Sequence, residues 1–299
     1  MTKDTTRTLT IALVSVGIGV LVLVLKYLAY MMTGSVALLS DALESIVNVV
    51  TAITTLIAVY IASKPASPAL PYGYDKAEYF SAVIEGVFIL VAALLIFQQA
   101  YLRIVDVMPL DTSMEGLLVN GAAGAVNGFW CLVLFRHGRK TRSPALVADA
   151  KHLFTDVLSS IGVLAGVFIA IISGWSILDP LLAMVVGVNI LWSGYRLVSE
   201  SVGGLMDVAA PEEQLTRIRD IISTNAHGAI EAHDVRTRQS GRKTFVEFHL
   251  VVPGGMSVSE AHDICDRIEN ALRNGIAGIM ISIHVEPENK AKHAGIVVL

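Results

Sequence analysis

Six long apolar stretches follow one another through the first two thirds of the chain. They cover residues 8–32, 36–62, 79–102, 114–135, 146–173 and 178–200. A helix needs about 20 predominantly apolar residues to cross the hydrocarbon core of a bilayer, and each stretch reaches that length. The separators between them are short and carry the Pro and Gly residues that end helices. The pattern therefore predicts six membrane-spanning helices.

The pattern changes after Val202, where polar and apolar residues begin to alternate. Pro211, followed by two glutamates, begins a predicted helix that ends near Asn225, since proline and acidic residues favour the first turn. Two β-rich runs follow at 230–238 and 244–252. Ser257 to Glu260 forms an S-x-x-E capping box, which predicts a helix to Arg273, and a last strand is predicted at 279–286.

These elements predict two domains and a tail. Residues 1–207 are predicted to form an all-α six-helix transmembrane domain, and residues 208–290 are predicted to form an α+β domain with the order αββαβ. Residues 291–299 are expected to be a flexible tail.

Composition supports a membrane protein and excludes several other classes. Of the 299 residues, 54% are hydrophobic and only 16% are charged, and the mean hydropathy is +0.64. Soluble domains carry about 25% charged residues, so a soluble globule, a disordered chain and a collagen are excluded. The net charge of −4 gives no reason to expect a nucleic-acid partner. The two cysteines lack C-x-x-C spacing, which argues against a disulfide framework.

Lysine and arginine in the separators predict the orientation, because these residues are enriched on the cytoplasmic side. One side carries nine of them and the other carries Arg103 alone. The nine are Lys3, Arg7, Lys64, Lys76, Arg136, Arg139, Lys140, Arg142 and Lys151. We therefore expect a multi-pass protein of the inner (plasma) membrane, in contact with the lipid bilayer and with both termini in the cytoplasm.

Polar residues inside the apolar stretches indicate a cation site. Glu44 and Asn48 are four residues apart in the second stretch, and His152 and Asp156 have the same spacing in the fifth. Residues four apart share a helix face, so two facing helices could supply four ligands, with Asp41 beside them. Imidazole and carboxylate suit zinc, whereas more oxygen ligands favour manganese or iron. The alternative is that these side chains only hydrogen-bond helices together.

Histidines are concentrated in the soluble part, where six of the eight lie beyond residue 220. Single histidines are most often surface or satisfied core residues. A group of them near Asp234, Asp263 and Glu286 is nevertheless consistent with a second metal site. The six histidines are His227, His233, His249, His262, His284 and His293.

Several short motifs, in this order, resemble the cation diffusion facilitator family over almost the whole chain. They are Thr33-Gly34-Ser35-Val36-Ala37, Pro71-Tyr72-Gly73, Lys76-Ala77-Glu78, Ala148-Asp149, the run from His152 to Asp156, Asp179-Pro180, and His233-Asp234-Val235-Arg236-Thr237-Arg238. The resemblance implies a homodimer in which residues 1–207 form the six-helix transmembrane transport domain and residues 208–290 form a cytoplasmic, metallochaperone-like domain that binds metal and dimerises. It also implies an exchange of cytoplasmic divalent metal for protons.

The resemblance places a transport site at Glu44, Asn48, His152 and Asp156, with Asp41 as a helper. The family usually has Asp or His at the first position and Asp at the second, so Asn48 removes one negative charge. A further family site, after the second helix, falls on Ser67, Leu70 and Tyr74. These are not good ligands, and we expect that site to be absent or strongly altered.

In the soluble domain, the resemblance assigns metal ligands to four histidines and one acid. They are His233, His249, His262, His284 and Glu286. The acid is usually Asp in the family. Glu keeps the charge on a longer arm, so we expect metal binding to persist.

The leading hypothesis is a proton-coupled antiporter that exports divalent metal, zinc first, with Fe²⁺, Mn²⁺, Co²⁺ or Cd²⁺ as alternatives. We expect no enzymatic activity, although a membrane metalloenzyme such as a hydrolase, or a metal sensor without transport, could use the same ligands. The chain has neither an H-E-x-x-H motif nor a G-x-x-x-x-G-K-[ST] phosphate loop. A carrier driven by protons needs no nucleotide.

Overall fold

The computed structural model describes residues 3–33, 36–105, 114–173, 178–293 and 295–297. Within the helices, some side chains lie outside the described part, among them those of Asp41 and Glu44. The chain forms two compact units, Met1–Val202 and Gly203–Leu299, and each is described by itself.

The first unit consists of long helices at the predicted places, which confirms the helical domain. They are α1 (Lys3–Thr33), α2 (Val36–Ala62), α3 (Ala77–Val105), α4 (Met114–Thr141), α5 (Pro144–Ser173) and α6 (Leu178–Leu205). Within the described residues, two stretches are both long and apolar enough to cross a membrane, Thr6–Ala29 and Ala77–Leu102, and Asn48–Ala62 is a shorter apolar stretch. The length and the composition of these two helices are the only grounds on which the structure supports them as membrane spans.

Helix α4 continues six residues beyond the apolar stretch that predicts it, from 135 to Thr141. The extension contains Arg136, Arg139 and Lys140. Arginine and lysine are good helix formers, and their positive charge is favourable at a helix C-terminus. The helix therefore extends past the end of its hydrophobic segment.

Small residues dominate the contacts between the helices. A cluster of buried residues joins α1, α2, α4 and α5, and a second joins α3, α5 and α6. Close approach is clearest between α3 and α6, where a Cβ on Gly86 would lie 2.7 Å from Val198 Cγ2, and one on Gly194 would lie 3.0 Å from Ile89 Cγ2. Small residues allow helices to pack closely where hydrophobic burial alone does not drive association.

The second unit is a sheet covered on one face by two helices. Its elements are α7 (Glu212–Asn225), β1 (Glu231–Ser240), β2 (Lys243–Val252), α8 (Val258–Gly275), β3 (Ile279–Pro287), a short 3₁₀-helix (Glu288–Lys290) and β4 (Ile296–Val297). The strand order is β3-β2-β1-β4. Strands β1 and β2 are antiparallel, β2 and β3 parallel, and β1 and β4 antiparallel.

The predicted order αββαβ is confirmed, whereas strand β4 was not predicted. This two-residue strand lies in the segment expected to be a flexible tail, where Ile296 pairs with Ala232 of β1. Two residues are too few to show an alternating pattern, so periodicity could not reveal the strand.

Apolar and polar side chains alternate along the strands, and the apolar set packs into a hydrophobic core. Val246, Phe248 and Leu250 of β2 pack with Ile264 and Ile268 of α8. Since successive side chains of a strand point to opposite faces, His249 lies on the face away from the helices. The sheet therefore presents its polar face on the side opposite to α7 and α8.

The capping box predicted for α8 is present. Ser257 Oγ accepts a hydrogen bond from the backbone N–H of Glu260, and Glu260 accepts bonds from the N–H and hydroxyl of Ser257. The Ser257 donors lower the pKa of Glu260 below its ordinary value.

Ser257→Ala should lower the free energy of unfolding of residues 203–299 by about 1 kcal/mol at pH 7. The contribution from Glu260 should be complete above the pKa this group has in the unfolded chain, and should be lost as the pH falls through its lower folded pKa. Urea unfolding followed by circular dichroism measures both effects. Ser223→Ala on α7 is the matched control, and an equal loss in both variants would contradict a capping role.

Candidate metal centres

Three predicted intramembrane ligands come together between α2 and α5. Asn48 Nδ2 donates to Asp156 Oδ2 at 2.5 Å, and His152 Nδ1 lies 3.9 Å from Asp156 Oδ1. The three side chains are at most 4% exposed. A carboxylate, an imidazole and an amide are thus collected at one buried position, and each offers an atom that can coordinate a divalent metal.

The other two predicted intramembrane ligands cannot be placed in this group. Asp41 and Glu44 are on α2, but their side chains lie outside the described residues. Asn48 follows Glu44 by one helical turn, and Ser45 between them is fully buried. The assignment of Asp41 and Glu44 as ligands stays a prediction.

Two further acids, Glu85 and Asp149, are buried near the N-terminal half of α5. The sequence gives little indication of which side chains donate hydrogen bonds to them. Glu85 of α3 is fully buried and accepts hydrogen bonds from Thr55 and, at 2.9 Å, from Ser81. Asp149 of α5 accepts a 2.7 Å bond from Ser15, whose oxygen accepts a bond from Trp130. Hydroxyl donors from neighbouring helices stabilise buried carboxylates and also hold these helices together.

The loop after α2 holds no obvious ligand group at the positions of the further family site. Ser67 Oγ and Tyr74 Oη lie 3.0 Å apart, and the backbones of Ser67 and Leu70 form a local bridge. The hydroxyls of Ser67 and Tyr74 form a hydrogen bond with each other within the turn. The expectation that this site is absent or altered stays a prediction.

In the second unit, the strand register places three of the predicted histidines in one row. His233 of β1 lies opposite His249 of β2, and His249 lies opposite His284 of β3. The ring centroids are 5.3 Å and 5.0 Å apart along the row. Residues paired across strands share a face, so all three rings stand on the face away from the helices.

Glu286 lies beside these three histidines. We call the set of His233, His249, His284 and Glu286 the histidine row. Glu286 follows His284 by two residues and so points to the same face. Glu286 Oε2 lies 3.3 Å from His233 Nε2, and Glu286 Oε1 lies 3.3 Å from His249 Nδ1 and 3.8 Å from His284 Nε2. Ligand atoms of His233, His249 and Glu286 all lie within 4.8 Å of one another. Two imidazole nitrogens and a carboxylate at this spacing fit a zinc-type cation.

His262 is the predicted soluble-domain ligand that does not join the row. It lies on α8, which covers the opposite face of the sheet, is largely exposed, and contacts Asp266 at 3.7 Å. A cavity bounded by α8 and β3 has both His262 and Glu286 in its wall. Within the described part of the chain, the ligand cluster is formed by His233, His249 and Glu286, with His284 at its edge.

Two acids lie beside the histidine row: Glu231, which was missed as part of the site, and Asp234, which was predicted as a neighbouring acid. Glu231 is buried and its Oε1 lies 3.1 Å from His233 Nδ1. Asp234, at the bulge in β1, pairs with Lys292 at 2.6 Å, and the hydrogen bond from Lys292 lowers the pKa of Asp234. Alternation places Glu231 on the same face as His233, and that was the signal available in the sequence.

Family models match nearly the whole chain. The model described as the cation efflux transmembrane domain matches residues 12–206, and the model described as the cytoplasmic domain of cation efflux proteins matches residues 210–288. The chain therefore belongs to the cation efflux family, which is the cation diffusion facilitator family. It is a membrane-embedded cation efflux transporter and not an enzyme, and the family model matched by residues 210–288 indicates dimerisation.

Curated relatives cover most of the chain. A Synechocystis protein described only as a transporter is 43% identical over 88% of this chain and 85% of its own length. A cation-efflux pump FieF of Yersinia pestis is 34% identical over 90% of each chain. A solved zinc-form structure of the CzrB transporter is 45% identical over 28% of this chain and 96% of its own, with a TM-score of 0.27.

His249→Ala should abolish high-affinity zinc binding by the histidine row, because it removes the central ring of the cluster. Calorimetric titration of residues 203–299 near pH 7 measures the binding. The control His227→Ala changes an exposed histidine outside the cluster and should leave the affinity within a factor of about three, since surface changes away from a site have small effects. Zinc binding that survives His249→Ala would contradict the assignment.

Proposed function

We propose that this transporter exports divalent transition-metal cations from the cytoplasm in exchange for protons, with zinc as the first candidate. The observation that carries the proposal is the buried contact of Asn48, His152 and Asp156 between α2 and α5. Ionisable groups inside a membrane domain are costly and mark transport pathways. With Glu44, and Asp41 as a helper, these residues are the proposed transport site.

Ligand chemistry supports both the choice of metal and the coupling. Imidazole and carboxylate are zinc ligands, whereas the amide oxygen of Asn48 adds a harder donor that also suits iron, manganese, cobalt or cadmium. A metal ion binds only the deprotonated forms of His152 and Asp156. Protons and metal therefore compete for the same atoms, and protonation from the outer side favours metal release.

The proposed arrangement in the membrane follows from the charge pattern. Residues 1–207 form the transport domain in the inner membrane, with six spans in the lipid bilayer and both termini in the cytoplasm. Residues 208–290 form the cytoplasmic domain of a homodimer, and residues 291–299 follow it as a tail. The nine cytoplasmic Lys and Arg residues support this orientation.

In the cytoplasmic domain, we assign a second divalent-metal site to the histidine row. His233, His249 and Glu286 are its principal ligands, and His284 and His262 are further candidates. Short ligand-to-ligand distances across three strands support this assignment.

Asp156→Ala should lower zinc flux at least tenfold, because removing a charged ligand should cost at least as much as the 10- to 100-fold loss typical of a residue that only supports a ligand. Zinc uptake into proteoliposomes with an entrapped dye measures the flux. The matched control is Phe154→Ala, which changes an exposed side chain two residues away on the same helix. Wild-type flux in a correctly folded Asp156→Ala protein would contradict the transport site.

Proton coupling is tested in the same vesicles by changing the pH on each side separately. Zinc transport should rise when the compartment opposite the metal is made more acidic, and should fall when the metal-loading side is acidified, because protons then occupy the ligands. His152→Gln should flatten this response because glutamine does not titrate. Metal flux that ignores the pH gradient would indicate a uniporter or a channel, and zinc binding without any flux would indicate a sensor.

A further inference from the structure

Glu231 lies between the histidine row and the C-terminal segment of the chain. It is the first residue of β1 and is only 2% exposed. One of its oxygens, Oε1, lies 3.1 Å from His233 Nδ1, the ring nitrogen that does not face Glu286. The other ring nitrogen of His233, Nε2, is the one turned toward the metal-ligand cluster.

The same carboxylate holds the C-terminal segment. The backbone N–H of His293 donates to Glu231 Oε2 at 2.8 Å, and that of Lys292 donates to Oε1 at 3.3 Å. Beyond these residues, β4 continues the contact, with Ile296 opposite Ala232 and Val297 opposite Glu231. We call residues 291–293 and 295–297 the tail strap.

Two further contacts hold the tail strap against the residues around His233. Lys292 Nζ lies 2.6 Å from Asp234 Oδ2, in the residue that follows His233. Gly295 passes so close to β1 that an added Cβ would lie 2.3 Å from the Ala232 carbonyl oxygen and 2.8 Å from His233 Cβ. Only glycine allows this approach without a shift of the strap.

A histidine that binds metal through one ring nitrogen is commonly oriented by a carboxylate at the other. The distances around His233 match that arrangement, with Nδ1 beside Glu231 and Nε2 toward Glu286. Among the described residues, neither nitrogen has an aligned hydrogen-bond partner.

We propose that Glu231 is a positioning residue that couples metal binding by the histidine row to docking of the tail strap. The strap supplies two N–H donors that fix the Glu231 carboxylate, and the fixed carboxylate orients His233. Metal on Nε2 makes Nδ1–H a stronger donor, which tightens the same contact. Because coupling between two binding events is reciprocal, metal stabilises the docked strap as much as the strap strengthens metal binding.

This inference rests on the proposed metal site of the cytoplasmic domain, and the experiment separates the two. The full-length protein in detergent is titrated with zinc, and backbone hydrogen exchange is followed separately in peptides from β1 and from the strap. Four proteins are compared: wild type, a chain ending at Lys290, Glu231→Ala, and the combination of both changes. Glu213→Ala, which changes an exposed acid on α7 at the opposite face of the sheet, is the matched control.

We expect removal of the strap and Glu231→Ala each to raise the zinc concentration needed to protect β1 by about 10- to 100-fold, the range typical of residues that orient metal ligands. The combination should be no worse than Glu231→Ala alone. Zinc should slow exchange in the wild-type strap by a comparable factor and should leave the strap of Glu231→Ala unchanged. Gly295→Ala, which displaces the strap and leaves Glu231 in place, should reproduce the effect of truncation.

Three results would overturn the inference. If removal of the strap does not change zinc binding while Glu231→Ala weakens it, Glu231 acts locally or as a direct ligand. If strap removal has the same effect with and without Glu231, the coupling does not pass through this residue. If zinc protects β1 in neither wild type nor any variant, and His249→Ala changes nothing, the metal site itself is wrong and the coupling fails with it.

Discussion

The contact between Asn48 and Asp156 illustrates the constraint on which the helical unit depends. A polar group in hydrocarbon must be satisfied inside the protein, because no water is available to it. Here the amide of α2 donates to the carboxylate of α5. Elsewhere in the bundle, hydroxyls from neighbouring elements donate to Glu85, Asp149 and Glu78 in the same way. The hydrogen bonds that hold the helices together therefore also lower the energetic cost of burying the proposed cation ligands in the membrane.

In the second unit, backbone pairing has the corresponding role. The register that places His233 opposite His249, and His249 opposite His284, is fixed by core residues on the other face of the same strands. A shift of one residue would send Phe248 and Leu250 to the polar side and the histidines into the core. The geometry of the proposed metal site is thus determined by hydrophobic burial, and its ligands do not have to determine the register.

Much of this was predictable from the sequence, and the features that were not predictable share one cause. Matched i, i+4 pairs predicted that α2 and α5 would face each other at Asn48 and Asp156, and alternation predicted β1 to β3. The position of His262 depends on which face of the sheet α8 covers, which spacing along the chain does not specify. The docking of Ile296 on β1 likewise depends on contacts between segments about 60 residues apart. Local periodicity predicts elements, whereas long-range packing decides which side chains meet.

The amide at position 48 has a consequence for a carrier that works by exchange. Such a carrier passes through states without metal, and in each of them a bare buried carboxylate would be costly. Asn48 Nδ2 donates to Asp156 Oδ2, while Asn48 Oδ1 has no hydrogen-bond partner among the described residues. Rotation of one amide exchanges a donor for an acceptor. The same side chain can thus stabilise the empty site through nitrogen and contact a metal through oxygen, which a second carboxylate could do only by taking up a proton.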